Sequence, residues 1–258
     1  MTTPLVEMRD MRKSFGGINA VDHVSIDLYP GEVVGVLGHN GAGKSVLMKM
    51  LSGALPRDGG EIYIGGQKAT INNPRDARNY KIETIYQYLA LADNLDAASN
   101  LFLGRELTTP LGFVDDAQME AETRKIMKRL NPNFRRFHTP VKGLSGGQRQ
   151  SVAIARAVYF NAKILIMDEP TAALGVQETQ MVAELIDQLK SEGIGILLID
   201  HDIHQVKMLC DRANVMKNGQ LVGTVKVDEV SEDDLLGMII AGKCPPSGIP
   251  GPGAVQFA

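Results

Sequence analysis

A glycine-rich octet that ends in lysine and serine is the segment of this sequence best suited to chemistry. It spans residues 38–45 and fits the phosphate-binding pattern G-x-x-x-x-G-K-[ST]. An apolar run, residues 33–37, leads into it, and a helix-like stretch at 46–51 follows it. Glycines allow backbone N–H groups to curl around a polyphosphate, and a helix N-terminus adds positive potential there. The octet therefore predicts a nucleoside triphosphate site, with a plain glycine-rich turn as the alternative.

Each residue of the octet, together with the residue after it, is a candidate phosphate contact. The predicted set is Gly38, His39, Asn40, Gly41, Ala42, Gly43, Lys44, Ser45 and Val46. We expect Lys44 to reach the β- and γ-phosphates and the hydroxyl of Ser45 to bind Mg²⁺.

Two adjacent carboxylates follow a second apolar run. Residues 164–167 read Ile-Leu-Ile-Met, and Asp168 and Glu169 come directly after them. Buried parallel strands have this composition, and open α/β sheets bind ligands at the carboxyl ends of such strands. We expect Asp168 to hold hydrated Mg²⁺ and Glu169 to orient and polarise an attacking water. The pair predicts metal-assisted phosphoryl transfer, with a solvated turn as the alternative.

A third motif points to a family. Residues 144–148 read Leu-Ser-Gly-Gly-Gln and precede a helix-like stretch at 151–160. With the octet before it and the Asp-Glu strand after it, this signature resembles the nucleotide-binding domain of ABC (ATP-binding cassette) transporters. The resemblance runs from about Leu5 to Val225, and it implies an ATPase that uses ATP and Mg²⁺.

The resemblance also assigns residues by position. Phe15, 23 positions before Gly38, matches an aromatic residue that stacks on adenine. Gln87 matches the family's glutamine loop, a sensor of the γ-phosphate or Mg²⁺, and His201 matches its switch histidine. The implied catalytic residues are Lys44, Gln87, Glu169 and His201, and the implied metal contacts are Ser45, Gln87 and Asp168.

A second copy of the chain is an implied partner. In this family the signature of one subunit covers the phosphates bound by the other, in a head-to-tail dimer that ATP closes. The signature residues concerned are Ser145, Gly146, Gly147 and Gln148. Transmembrane permease subunits are further implied partners, as is, indirectly, a periplasmic or extracellular solute-binding protein.

Composition limits the possible function classes. The net charge of −3 gives no electrostatic argument for a nucleic acid partner or an anionic membrane surface. No apolar run approaches the ~20 residues that cross a bilayer, and no secretory signal is visible. The resemblance implies a peripheral protein on the cytoplasmic face of the inner (plasma) membrane, and we expect Cys210 and Cys244 to be reduced thiols.

The pattern along the chain predicts an α/β fold, and the resemblance implies that this fold is the P-loop NTPase ABC cassette. We expect a mostly parallel core sheet, an antiparallel β flank with turns at Gly59-Gly60 and Gly65-Gly66, and an inserted helical subdomain. One domain is predicted over 1–242, with its helical subdomain at about 88–150 and its clearest helix over Asp116–Leu130. The Pro/Gly-rich segment 243–258 is predicted to be a disordered tail.

Two short sequence segments suggest a cargo. Segments 100–106 and 168–178 resemble the ATPases of bacterial monosaccharide importers of the ribose, xylose and fructose type. The single cassette resembles the stand-alone, fructose-type version and implies a homodimer. The open alternatives are an ABC ATPase for amino acids, lipids or export, a soluble one acting on nucleic acid or ribosomes, and a cassette without useful hydrolysis.

Three positions depart from the usual family pattern. Val46 replaces a common threonine and removes a hydroxyl from the phosphate site. Gly175 stands where many relatives have an aspartate that links the two sites of the dimer. Asp200 precedes His201 where serine is common, and Asp202 follows it. The two carboxylates either favour an imidazolium or are solvated or cap the next helix.

Overall fold

The computed structural model describes residues 3–172 and 174–255, which form two compact units. The first unit comprises the chain up to Thr84, Lys163–Glu169 and the chain from Asp187 onward. The second comprises Ile85–Ala162 and Pro170–Ile186. The predicted helical subdomain at 88–150 falls inside the second unit, which extends beyond it at both ends.

Strands and helices alternate along most of the chain. The strands are β1 (Val6–Phe15), β2 (Ile18–Leu28), β3 (Val33–Leu37), β4 (Gly59–Ile64), β5 (Gln67–Ala69), β6 (Ile82–Ile85), β7 (Ile164–Asp168), β8 (Gly195–Asp200), β9 (Arg212–Lys217), β10 (Gln220–Lys226) and β11 (Ile249–Pro250). The α-helices are α1 (Lys44–Leu51), α2 (Pro74–Asn79), α3 (Ala97–Phe102), α4 (Asp116–Leu130), α5 (Gly146–Tyr159), α6 (Val176–Ser191), α7 (Ile203–Leu209) and α8 (Glu232–Ala241).

A seven-stranded sheet, in the order β11-β10-β9-β3-β8-β7-β6, carries the ends of the strands that matter for chemistry. Strands β9, β3, β8 and β7 are parallel, whereas β10 and β11 pair antiparallel. Every residue of β3 and β8 is buried, as the continuous apolar runs predict for strands covered on both faces. Leu37 pairs with Asp200, and Asp168 pairs with Ile199. The register therefore brings the carboxyl ends of β3, β7 and β8 together.

The predicted antiparallel flank is confirmed as a four-stranded sheet in the order β2-β1-β4-β5. One of its predicted turns is wrong, because Gly59 and Gly60 begin β4, where Gly59 pairs with Arg12. Gly60 has φ of 91°, and a Cβ on it would lie 2.5 Å from the carbonyl oxygen of Asp10. Gly60 is thus needed because β1 and β4 approach each other closely. In the sequence, a glycine pair with this role looks the same as a glycine pair in a turn.

Helices dominate the second unit. The predicted helix Asp116–Leu130 is confirmed, and the side chain of Asp115 caps it by accepting the N–H of Gln118 at 2.9 Å. Phe102 on α3 meets Tyr159 on α5 edge to face at a ring distance of 4.8 Å. Across residues 3–172 and 174–255, no helix combines the length and apolar character needed to cross a membrane.

The C-terminal segment differs from the predicted disordered tail as far as residue 255. Ile249 and Pro250 pair with Thr224 and Gly223 of β10. The N–H of Gly251 donates to the carbonyl of Val222 at 2.8 Å. A Cβ on Gly251 would lie 2.2 Å from the carbonyl oxygen of Leu221, so the glycines that suggested disorder permit close docking. Residues 256–258 lie outside the described part of the chain.

Candidate active site

The glycine-rich octet forms a tight turn between β3 and α1. Gly38 and Gly43 have φ values of 155° and 101°, in the region that favours glycine. A Cβ on Gly38 would lie 2.3 Å from the carbonyl oxygen of Met216, and one on Gly43 would lie 2.2 Å from that of Ala20. The loop can therefore keep its curvature, with its N–H groups at the start of α1, only with glycine at these two positions.

Lys44 is folded back onto this loop. Its Nζ donates to the carbonyl oxygen of Gly38 at 2.7 Å and to that of His39 at 3.2 Å. Burial lowers the pKa of Lys44, and the negative charges of Glu169, Asp168 and Asp200 oppose that effect. The ammonium group is thus held at the loop by carbonyl oxygens that a phosphate could replace.

A cavity of about 320 Å³ in the first unit brings most of the predicted site residues together. Its lining comprises Phe15, Ala20, Asn40, Gly41, Ala42, Gly43, Lys44, Ser45, Val46, Asp168, Glu169 and Ile199. Phe15 is 47% exposed, so its ring is accessible for stacking. Ala20 and Ile199 were not predicted, because nothing in their residue types signals a ligand.

Asp168 ends β7 and Glu169 follows it. Burial, and next the charge of Glu169, raises the pKa of Asp168. Glu169 has φ of 47°, an unusual value for a residue with a side chain. Its Oε1 lies 2.7 Å from Nδ1 of His201, so the predicted acid and the predicted switch histidine form a hydrogen bond.

The two carboxylates beside His201 have separate roles. Asp202 caps α7 by accepting the N–H of His204 at 2.8 Å, so the capping alternative is confirmed for this residue. Asp200 is buried rather than solvated, and it accepts the N–H groups of His201 and Asp202 at 2.7 and 3.0 Å. Burial raises the pKa of Asp200, although those two N–H groups act against the shift. The carboxylate orients the backbone that carries His201.

The donor set fits a hard divalent cation. The hydroxyl of Ser45 and the carboxylates of Asp168 and Glu169 line one cavity, and such oxygen ligands suit Mg²⁺ bound together with phosphate oxygens. The raised pKa of Asp168 agrees with a carboxylate built to meet positive charge.

The signature residues begin α5 in the second unit. Ser145 is the N-cap, and its Oγ accepts the N–H of Gln148 at 3.3 Å. The side chain of Gln148 in turn accepts the N–H of Ser145 at 3.1 Å, which completes a capping box. Gln87 lies in an exposed turn after β6 in the same unit.

The family profile for ABC transporters matches residues 21–172, more than half of the chain. The chain belongs to the ABC transporter family. It is therefore an ATP-binding cassette and an ATPase, as the octet, the signature and the Asp-Glu strand predicted.

Similar proteins and a similar solved structure support the same family assignment. The chain is 45% identical to the xylose/arabinose import ATP-binding protein of Sulfolobus acidocaldarius over 90% of its own length and 92% of the relative's. It is 40% identical to the fructose import ATP-binding protein of Rhizobium meliloti over 94% and 96% of the two chains. It spans about half (48%) of the ribose import ATP-binding protein of Caldanaerobacter subterraneus, at 41% identity over 92% of this chain. An ATP-binding cassette solved in its ADP conformation superimposes with a TM-score of 0.79 at 27% identity, covering 92% of this chain and 95% of that one.

Proposed function

We propose that this ABC ATPase energises a membrane importer for a monosaccharide. The observation that carries the proposal is the single cavity that unites the phosphate loop, Asp168 and Glu169, with His201 hydrogen-bonded to Glu169. The relatives that match over most of both chains support the cargo class, since both are named as sugar import ATP-binding proteins.

The chemistry follows from the positions of the side chains. Lys44 and the loop N–H groups bind the phosphates, and Phe15 stacks on the base. Ser45 and Asp168 would hold Mg²⁺, Gln87 is the third metal contact that the sequence predicts, and the cation would neutralise phosphate charge. Glu169 accepts a proton from the attacking water. The water oxygen bonds to the γ-phosphorus while the bond from that phosphorus to the ADP oxygen breaks, and ADP and phosphate leave. His201 holds the Glu169 carboxylate in place at 2.7 Å.

A second copy of the chain completes the site. Ser145 and the N–H groups of Gly146 and Gly147 of one subunit donate to the γ-phosphate bound by the other, and Gln148 holds that turn. Each ATP then bridges two chains, so nucleotide favours the closed dimer and hydrolysis releases it. Closing and reopening is the movement delivered to permease subunits at the cytoplasmic face of the membrane.

Replacing Glu169 by glutamine tests the catalytic assignment. Glu169→Gln keeps the shape of the side chain but cannot take a proton from water, so ATP binding persists while hydrolysis falls about 100-fold or more. The measurements are steady-state phosphate release and sedimentation of the protein with ATP, which should show a trapped dimer. Glu184→Gln, an exposed acid on α6, is the control and should behave as the unmodified chain. Normal turnover by Glu169→Gln would contradict the assignment.

A further inference from the structure

The first turn of α5 contacts a carboxylate from its own unit, that of Glu178 on α6. A Cβ on Gly146 would lie 3.3 Å from Oε2 of Glu178, and one on Gly147 would lie 3.3 Å from its Cβ. The N–H of Gly175 donates to the same Oε2 at 3.3 Å. The half-buried side chain of Glu178 therefore lies along the two glycines of the signature.

This carboxylate lies beside the donors that we assign to the γ-phosphate, since its Oε2 is 3.3 Å from the position of a Cβ on Gly146. The pKa of Glu178 is lowered first by the hydroxyl of Ser145, then by the N–H of Gly175, with the N–H groups of Gly147 and Gly146 adding to the effect. The N-terminus of α5, a helix of 14 residues, also favours a negative charge at this point. An internal anion thus lies next to the signature.

We propose that the Glu178 carboxylate competes with the γ-phosphate of the partner's ATP for the signature, and leaves it when the dimer closes. The inference rests on the proposed function, since the incoming phosphate belongs to the composite site of the dimer. One hydroxyl hydrogen cannot serve both anions, and two anions sharing a few donors repel each other. Glu178 therefore raises the ATP concentration that association requires and keeps nucleotide-free chains apart.

A purely structural role for Glu178 makes the opposite prediction. Glu178 is the third residue of α6, and its bond to the N–H of Gly175 is one half of a capping box. If capping were the whole role of Glu178, removing its charge would destabilise the start of α6. The ATP concentration needed for dimer formation would then stay the same or rise. Competition requires that closure become easier while the free chain becomes less stable.

The experiment compares Glu178→Gln with unmodified Glu178, each in the Glu169→Gln background with Mg²⁺. Analytical ultracentrifugation gives the ATP concentration for half-maximal dimer formation. We expect Glu178→Gln to lower it about fivefold, because each dimer contains two signatures and each loses one competing helix-terminal charge. The melting temperature without nucleotide should fall slightly, since the N-terminus of α5 loses its anion.

Asp234→Asn is the matched control. Asp234 is likewise the third residue of its helix and forms a capping box with Ser231, but it caps α8 in the first unit. This variant should lose stability without changing the ATP requirement for dimer formation. If Glu178→Gln fails to fold, Glu178→Asp is the second variant. Its side chain is one methylene shorter, so the carboxylate lies farther from the signature, and it should lower the ATP concentration for dimer formation by less.

The outcomes separate the two proposals. A Glu169→Gln parent that stays monomeric at saturating ATP overturns the proposed function and this inference with it. A parent that dimerises, while Glu178→Gln leaves the ATP requirement unchanged or raises it, overturns the role of Glu178 alone.

Discussion

At the scale of single residues, the nucleotide site is a cluster of buried and half-buried charges arranged for ligands that carry charges of their own. Lys44 bonds to carbonyl oxygens of its own loop at 2.7 and 3.2 Å, and burial lowers its pKa. Asp168 and Asp200 have pKa values raised by burial. Under our proposal Mg²⁺ and phosphate groups interact with these charges, so we expect the charged groups to destabilise the folded chain when neither ligand is bound.

Asp168→Asn tests this view of the site. For an acid whose pKa is raised by folding, ionisation destabilises the folded state at any pH above the ordinary value of the group. At pH 7 without nucleotide, removing that charge should raise the free energy of unfolding by roughly 0.5–1 kcal/mol and abolish Mg²⁺-dependent hydrolysis. Denaturant unfolding measures the first effect, and phosphate release measures the second. Asp187→Asn, at an exposed acid on α6, is the control, and an Asp168→Asn protein less stable than the parent would contradict the view.

At the scale of elements, the sequence predicted what depends on local pattern and failed where the fold brings distant segments together. The helix Asp116–Leu130 was predictable because its apolar and charged residues recur at helical spacing. The phosphate loop was predictable because its glycines and Lys44 act within one turn. The contact of Glu178 with the signature was not, since more than thirty residues separate Glu178 from Ser145 and only the packing of α6 joins them.

The C-terminal segment is a second case in which the fold brings distant parts of the chain together, and it allows a separate prediction. Gly251, Gly253 and Val255 donate N–H groups to the carbonyls of Val222, Leu221 and Gly242, each at 2.8 Å. Removing residues 247–258 should therefore lower the free energy of unfolding by about 2 kcal/mol, since these hydrogen bonds and the pairing of β11 with β10 are lost. Denaturant unfolding is the measurement, with hydrogen exchange at Gly251 and Gly253 as a second readout. Fast exchange at both amides and an unchanged midpoint would show that the segment is disordered after all.

At the scale of the whole molecule, the residues that we assign to the ATPase site divide between the two compact units. Phe15, the phosphate loop, Asp168, Glu169 and His201 belong to the first unit. The signature, Gln87 and Glu178 belong to the second. A head-to-tail pair of chains would form two such sites, each combining the first unit of one chain with the second unit of the other. ATP-dependent closure of that pair could drive a permease, although no helix in the described residues crosses a membrane.

The measurement that tests this account most directly is recovery of the permease. The tagged Glu169→Gln chain is purified from detergent-solubilised native membranes with ATP and Mg²⁺, and its partners are identified by mass spectrometry, with the nucleotide-free purification as the control. We predict that a polytopic permease is recovered in the presence of ATP, together with a second copy of the chain. Recovery of ribosomes or DNA-processing factors, or of no membrane protein at all, would contradict a role in transport.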